Sequence, residues 1–261
     1  MNEQVSKEYD EYLAAGRIWG IVPKEGIKKI KFPRIDKKII EEFMKIDDVT
    51  GTVSDILDSL GIKGVVPASF LPPVLPDKKI VGTAVTIRNI PERKTVTQGI
   101  VDKDFIRMAS RDAHYLSEPG DILVADLGGD LTTSNMGGQS VNVAKAAGVI
   151  GAIFNGSMRD ISTFIKMDFP AWSKGRTPIT GKNRIQAVEI NGPVTLHDVL
   201  VEAGDLIIAD DSGVCVVPAD KVEYVLEKAK QTCEDEEVMR EMIVKKVPIA
   251  QLQPLFRKRY K

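Results

Sequence analysis

Apolar residues change their spacing several times along the chain, and each change marks an element. In IDKKIIEEFMKI, Ile39, Ile40, Phe43 and Met44 share one face at helical spacing, which predicts a helix at the end of a segment otherwise mixed in aromatics, lysines and prolines. TGTVSDILDSLG carries a sharper stripe at Val53, Ile56, Leu57 and Leu60, with a Thr52 to Asp55 capping pattern and Gly61 as the stop. After a loop containing Pro67, Pro72, Pro73 and Pro76, KIVGTAVTIR alternates as a strand, and residues 99–111 then follow a helical pattern.

The most informative stretch is EPGDILVADLGGDLTTSNMGGQSVNVAKAAGVIGAIFNGSMRD. It predicts a strand from Ile122 to Ala125 ending at Asp126, a glycine-rich loop, a helix from Gly138 to Ala147 stopped by Gly148, a strand from Val149 to Phe154, and a turn at Asn155-Gly156. Such a βαβ unit almost always has parallel strands and a right-handed crossover. A helix of about ten residues rises ~15 Å and a strand of about five returns ~16 Å, so the chain comes back level with its start. Asp126, the helix start at Gly137 to Ser140, and the pair Arg159-Asp160 are therefore expected to meet at one edge.

Farther on, AVEI, GPVTL, GDLIIAD and GVCVVP read as strands between turn residues. EPGDILVAD (118–126) and EAGDLIIAD (202–210) agree at five of nine positions, each a Gly-Asp turn feeding a buried strand that ends in Asp. Shared turn chemistry is the plainer account of this repeat, an ancient duplication the other. From Ala219 to about Val247 a long charged helix is expected, with Val222, Val225, Leu226 and Ala229 on one stripe, of the kind that serves an oligomer interface.

Composition narrows the function classes. The chain has 261 residues, 43% hydrophobic and 28% charged, with 36 Lys+Arg against 37 Asp+Glu. That is an ordinary globular balance, large enough for a sizeable core. No stretch reaches the roughly 18 apolar residues of a membrane helix. The start, MNEQVSKEYDEY, lacks the basic cap and apolar run of a secretory signal, so a cytoplasmic protein is expected. Cys215 and Cys233 cannot build a disulfide framework, and His114 and His197 have no partners at zinc-ligand spacing. A net charge of -1 argues against nucleic acid as the partner, and the terminal RKRYK reads as a solvated tail. We divide the chain into an N-terminal extension (1–48) packed on the core, an α/β core (49–220), and a C-terminal helical arm with the basic tail (221–261).

GxxxxGK[ST], GxSxG and GxGxxG are all absent, which leaves carboxylates, Arg, Lys, backbone amides and an oxygen-ligated metal to carry any chemistry. Gly137, Gly138, Gln139 and Ser140 open a helix whose first amides are a ready anion site. Arg159 can grip a carboxylate with two nitrogens, and Asp160 is a hard ligand for Mg²⁺ or Mn²⁺ that would keep several waters. Together they suit a 2-oxo acid. Each also has a plain reading: a glycine-rich helix start as turn chemistry, Asp160 as cap of the helix ISTFIKM, Asp126 as holder of a turn, Lys145 as a solvent-reaching lysine.

At these residues the chain resembles the RraA-like family, which includes the regulator of ribonuclease activity A and the 4-hydroxy-4-methyl-2-oxoglutarate / 4-carboxy-4-hydroxy-2-oxoadipate aldolases. The resemblance covers roughly 50 to 220 and rests on VSDIL at 53–57, GDILVAD with the following GGD, GGQSVNVAKAAGVIGAIFNGSMRD, FPAWSKGRTP at 169–178 and GDLIIADDSGVCVVP at 204–218. It implies an α/β/β sandwich of the swivelling-domain type around the βαβ unit, commonly assembled as homotrimers or hexamers. It further implies that the amides of Gly137, Gly138, Gln139 and Ser140 and the side chain of Arg159 bind substrate, and that Asp160 anchors a divalent metal, partly through water.

Regulators in the family can lack the metal aspartate, so Asp160 favours the aldolase branch. Gln139 stands where aldolases often carry Glu, and Asn155 where Asp is common, which leaves the exact substrate open. The activity implied is a class II retro-aldol cleavage of a 4-hydroxy-2-oxo dicarboxylic acid to pyruvate and a second oxo acid, with oxaloacetate decarboxylation as a side activity. Arg159 would stabilise the enolate, and Asp126 would assist a water acting as base. The alternatives are a noncatalytic regulator that binds an RNA-processing enzyme and a lyase for another oxo acid. Relatives are also labelled demethylmenaquinone methyltransferase, but the chain has no glycine-rich cofactor loop of that sort. The acidic run Glu234 to Glu237 could reach a neighbouring subunit's site, with solvated helix surface the better reading.

Overall fold

The structure, a computed structural model, describes residues 3–104 and 106–258, with side chains up to residue 255. The run RKRYK, at 257–261, lies outside the described side chains. In chain order the elements are α1 (Glu3–Ala14), α2 (Lys37–Met44), α3 (Val49–Ser59), β1 (Val65–Pro67), β2 (Ile80–Pro91), α4 (Val96–Val101), α5 (Ser110–Leu116) and β3 (Asp121–Asp126). Then come α6 (Gly138–Ala146), β4 (Gly151–Met158), α7 (Ile161–Lys166), β5 (Ala171–Arg176), β6 (Ile185–Ile190), β7 (Val194–Leu196) and β8 (Val199–Val201). The chain closes with β9 (Leu206–Asp210), β10 (Gly213–Val217), α8 (Val222–Val244) and α9 (Ile249–Lys258).

The main sheet has the order β1-β10-β9-β2-β3-β4-β5. Strands β2 to β5 are parallel, and β1, β10 and β9 pair antiparallel. The long β2 shares one flank between two partners, β9 along Ile80–Thr83 and β6 along Ile87–Pro91. Period-two alternation then sorts the core into layers. Leu123, Ala125, Ala152 and Phe154 face the helices, packing with Ala113, Leu116, Val141, Ala144 and Phe164. Ile122, Val124, Ile153 and Trp172 face the other way, onto Val194, Leu196, Val199 and Val201 of the β7–β8 hairpin. Helices, sheet and hairpin make the α/β/β sandwich that the family resemblance implied. Under α3 and α8 the same alternation buries Leu206, Ile208, Cys215 and Val217 against Leu57, Val225 and Ala229. Each such fully buried aliphatic side chain contributes ~1.5–3 kcal/mol.

Residues 17–35 thread onto this body. The Lys28 amide donates to the Ile190 carbonyl at 2.9 Å, the Ile35 amide donates to Thr83 Oγ1 at 3.0 Å, and Arg34 pairs with the buried Asp121 at 3.0 Å. At the other end, Val222, Val225, Leu226 and Ala229 are buried, while Val238, Val244 and Ile249 are exposed. Among the described residues no helix is long and apolar enough to cross a membrane.

Three expectations are corrected. Helix α3 begins at Val49, before Thr52, because Thr50 is anchored by its hydroxyl to the Asp210 carboxylate at 2.7 Å and Thr52 Oγ1 donates to the Asp48 carbonyl instead of capping. The span 99–111 is not one helix. Thr95 caps α4 by accepting from the Gln98 amide, Lys103 at φ 54 breaks the chain, and a new helix starts at Ser110. Nor is Asn155-Gly156 a turn: β4 starts at Gly151 and runs through both residues to Met158, with its register shifting between Phe154 and Ser157. A side chain on Gly156 would meet Leu127 Cβ at 2.7 Å, so the glycine admits the neighbouring loop to the strand.

Candidate active site

The carboxyl end of a parallel sheet is where open α/β folds place their ligands, and β4 delivers Arg159 and Asp160 there. The Arg159 amide donates to the Met136 carbonyl at 3.1 Å, which ties the end of the β3–α6 loop to this strand. Asp160 adopts a left-handed conformation (φ 59, ψ 43) at the start of α7, yet its carboxylate makes no bond to that helix. It crosses to α6 instead: Oδ2 accepts from the Gly138 amide at 2.8 Å and lies 3.7 Å from Arg159 Nε. A carboxylate at a helix N-terminus is stabilised by the orphan amides and the dipole.

The glycines are required by that approach. A Cβ on Gly137 would lie 2.6 Å from Asp160 Oδ2 and 2.9 Å from Arg159 Nε, and one on Gly138 would lie 2.9 Å from Thr163 Oγ1. Thr163, which sequence reasoning passed over, thus belongs to the cluster by its position in the first turn of α7. Arg176, also passed over, ends β5 beside Met158 in the ladder and is exposed; the motif FPAWSKGRTP held it in view without assigning it. The side chains of Arg159 and Asp160 are 31% and 46% exposed, open enough for a ligand to reach both. The Arg159 guanidinium has no hydrogen bond among the described residues.

The four amides at the α6 start are not equivalent. Gly138 N is held by Asp160, and Ser140 N donates to the Gly137 carbonyl at 2.9 Å. Those of Gly137 and Gln139 have no partner among the described residues. Ser140 Oγ is buried, 3.1 Å from Ser110 Oγ. Lys145 is tied by Nζ to the Met167 carbonyl at 2.6 Å, at the end of α7.

Asp126 does not join the cluster. It has the parity of Ile122 and Val124, so its carboxylate lies on the hairpin side of the sheet, away from α6 and α7. Oδ1 accepts from the Gly128 amide and from Asn155 Nδ2, both at 2.8 Å, and Oδ2 accepts from the Thr195 amide at 3.2 Å. Three donors on a carboxylate only 9% exposed make it a clamp on the loop, on β4 and on β7. Asn155 completes the clamp by donating to the Thr195 carbonyl at 2.9 Å.

No group of three or more His, Cys, Asp or Glu that could cage a metal occurs among the described residues. Asp160 offers one open carboxylate. That donor set fits a hard cation which keeps several waters and takes further oxygens from the substrate, as Mg²⁺ does.

The architecture is a three-layer α/β/β sandwich of the α/β class, with an Arg-Asp pair seated against a glycine-opened helix. The chain belongs to the RraA-like family, whose Aldolase/RraA model matches residues 50–216. It is 31% identical over 194 residues to a protein of Halalkalibacterium halodurans provisionally named a 4-hydroxy-4-methyl-2-oxoglutarate aldolase, covering 74% of this chain and 84% of that one. Among solved structures it is similar to an uncharacterized protein of Pseudomonas syringae pv. tomato (TM-score 0.70, 26% identity, 85% of this chain and 100% of that one). It is also similar to Streptomyces coelicolor RraAS2, described as an unusual member of the RNase ES inhibitor RraA family (TM-score 0.65, 25% identity, 80% and 99%).

Proposed function

We propose that the protein is a class II aldolase that cleaves a 4-hydroxy-2-oxo dicarboxylic acid to pyruvate and a second oxo acid. The observation that carries this reading is the cluster of Arg159, Asp160 and the open amides of Gly137 and Gln139 around the α6 start. In it the amides and the Arg159 guanidinium bind the substrate carboxylate and hold its 2-oxo group toward Asp160. A divalent cation at Asp160, Mg²⁺ or Mn²⁺, would supply electrophilic pull on the 2-oxo oxygen. The 4-hydroxyl loses its proton to water, the C3–C4 bond breaks, and its electron pair becomes the pyruvate enolate, whose charge Arg159 faces until C3 is protonated. Asp126 acts here as a positioning residue for the loop, and the base role first expected of it is withdrawn. The same enolate stabilisation would decarboxylate oxaloacetate.

A second reading has one observation in its favour: Oδ2 of Asp160 already caps α6, as it would in a noncatalytic regulator that binds an RNA-processing enzyme. The two separate in one assay, pyruvate release from 4-hydroxy-4-methyl-2-oxoglutarate and from oxaloacetate, with Mg²⁺, Mn²⁺ or chelator. The aldolase reading expects metal-dependent pyruvate that chelator abolishes and that Asp160→Ala lowers by about a hundredfold or more. Absence of metal binding would sink it. Assembly as a homotrimer or hexamer belongs to the same proposal, supported by the exposed Val238, Val244 and Ile249 on the C-terminal arm.

A further inference from the structure

Strand β5 sets a second arginine beside the first. Its last two positions pair with β4 as Gly175 with Ser157 and Arg176 with Met158, and the Thr177 amide donates to the Met158 carbonyl at 3.0 Å. Neighbouring strands lie ~4.8 Å apart and successive Cα atoms ~3.8 Å, so the Cα of Arg176 is within ~9 Å of that of Arg159. The register shift between Phe154 and Ser157 interrupts strict alternation, and the contacts beyond it fix the faces. A Cβ on Gly175 would lie 2.5 Å from Ser157 Oγ, so these two share one face of the ladder. Arg176 and Met158 share the other, and Met158 belongs with Phe154 and Phe164 to the core under the helices. Arg176 therefore leaves the sheet on the side of α6 and α7, at the end where α7 starts from Asp160.

The charges at this edge do not balance. Arg176 is exposed and has no hydrogen bond or ion pair among the described residues. Nearby lysines are placed elsewhere: Lys145 Nζ is bonded to the Met167 carbonyl, and Lys174 Nζ reaches to 3.3 Å from the Cβ position of Gly129 in the β3–α6 loop. Asp160 is the carboxylate beside Arg159, and its Oδ2 is already shared with the Gly138 amide. Two guanidinium groups thus stand against one carboxylate, a positive excess before any divalent cation is added. Like charges brought this close cost free energy that an anion between them removes. The ligand that matches has two separate anionic groups, one at Arg159 and the open amides of Gly137 and Gln139, the other a few bonds away toward Arg176.

We propose that Arg176 is the specificity residue for the second carboxylate: it holds the far carboxylate of a 2-oxo diacid whose C1 carboxylate and 2-oxo group lie at Arg159 and Asp160. This rests on the aldolase reading of that site and adds to it the residue that tells a diacid from a monoacid. The guanidinium offers a carboxylate two parallel N–H donors. The strand end fixes the root of the side chain, while its exposed length follows the ligand. Arg176 meets the substrate away from the bond that breaks, so its effect is read in binding without turnover.

Two acids of equal chain length that lack the 4-hydroxyl, and so are not cleaved, provide the test: 2-oxoglutarate, which ends in a carboxylate, and 2-oxopentanoate, which ends in a methyl group. Each is titrated calorimetrically into the full chain with Mg²⁺ present. Wild type should bind 2-oxoglutarate about tenfold or more tighter, the worth of one hydrogen bond between charged groups. Arg176→Met should bring the two affinities together by weakening 2-oxoglutarate, and Arg176→Lys should keep part of the preference. Position 176 is exposed, so both variants are expected to fold, and their melting temperatures check it. Equal affinities in wild type, or a preference unchanged in Arg176→Met, would overturn the role of Arg176 and leave the aldolase reading standing. Failure of wild type to bind either acid would overturn both.

Discussion

A methyl group at position 137 would sit 2.6 Å from the Asp160 carboxylate and 2.9 Å from the Arg159 guanidinium, and one of the three must move. The backbone is not the obstacle, since Gly137 has φ -140, which any residue adopts. The atoms struck, Oδ2 of Asp160 and Nε and Cγ of Arg159, belong to two partly exposed side chains that can turn aside. Gly137→Ala should therefore leave stability within about 1 kcal/mol of wild type. Displacing the two groups by ~1 Å should cut turnover about a hundredfold, as misplacement of reacting groups does. Melting temperature and pyruvate release measured on the same sample check both halves; a large loss of stability would mean that the cluster is structural rather than catalytic. The same scale explains why Asp126 misled. Its place at a strand end beside a glycine-rich loop is legible in the sequence, but its parity with Ile122 and Val124 points it to the hairpin, and the partner that occupies it, Thr195, is 69 residues away.

The two strands that share a sequence pattern share their turns atom for atom. In each, the aspartate after glycine folds back onto the amide three residues earlier, Asp121 Oδ2 to Glu118 N and Asp205 Oδ2 to Glu202 N, both at 2.8 Å. Each strand then ends on an aspartate that accepts from the amide two residues on, Asp126 from Gly128 and Asp210 from Ser212, again at 2.8 Å. Gly120 and Gly204, at φ 95 and 109, permit the turn. Yet β3 lies among parallel neighbours and β9 among antiparallel ones, so shared turn chemistry accounts for the likeness without a duplicated unit. What differs is the counter-ion: Asp121 is 1% exposed and paired with Arg34 from the N-terminal segment, a contact 87 residues apart that no local pattern announces. Burial pushes the Asp121 carboxyl up from its ordinary value, and Arg34 opposes that. Arg34→Met would leave a buried carboxylate unpaired, at a cost of about 3 kcal/mol near neutral pH. Since protonated Asp121 needs no cation, the cost should shrink as pH falls through its raised pKa. Urea midpoints of the variant and wild type at about pH 7 and about pH 5 read this directly; an equal deficit at both would assign the loss to packing of Arg34 on Phe32 instead.

Across the whole molecule, the βαβ unit and the edge it builds were legible because glycine stops and a change of period from two to helical are local signals. The division of β2 between β9 and β6 was not, since it depends on which distant strand is available, and the break between α4 and α5 at Lys103, with its positive φ, was not either. His114 belongs to this second kind: on paper a histidine without ligand partners, in the fold a fully buried ring between two helices. Its effect is global. An unfolded histidine titrates near ~6.5, whereas in the fold the pKa is lowered to about 3. Between those values the unfolded chain binds a proton that the folded chain does not, so the stability owed to a neutral His114 is fully present above the upper value and declines as pH falls toward the lower. The decline is ~1.4 kcal/mol per pH unit, or about 2 kcal/mol between about pH 7 and about pH 5. Asp112, Asp121 and Asp205, all raised by burial, act in the opposite direction, because the folded chain then holds the extra proton as the medium acidifies. The comparison that isolates the histidine is therefore wild type against His114→Phe. Between those two pH values wild type should lose about 2 kcal/mol more than the variant in urea unfolding. Parallel losses would mean that the ring takes up its proton inside the fold, which a fully buried imidazole could do only if the packing around it opened to water.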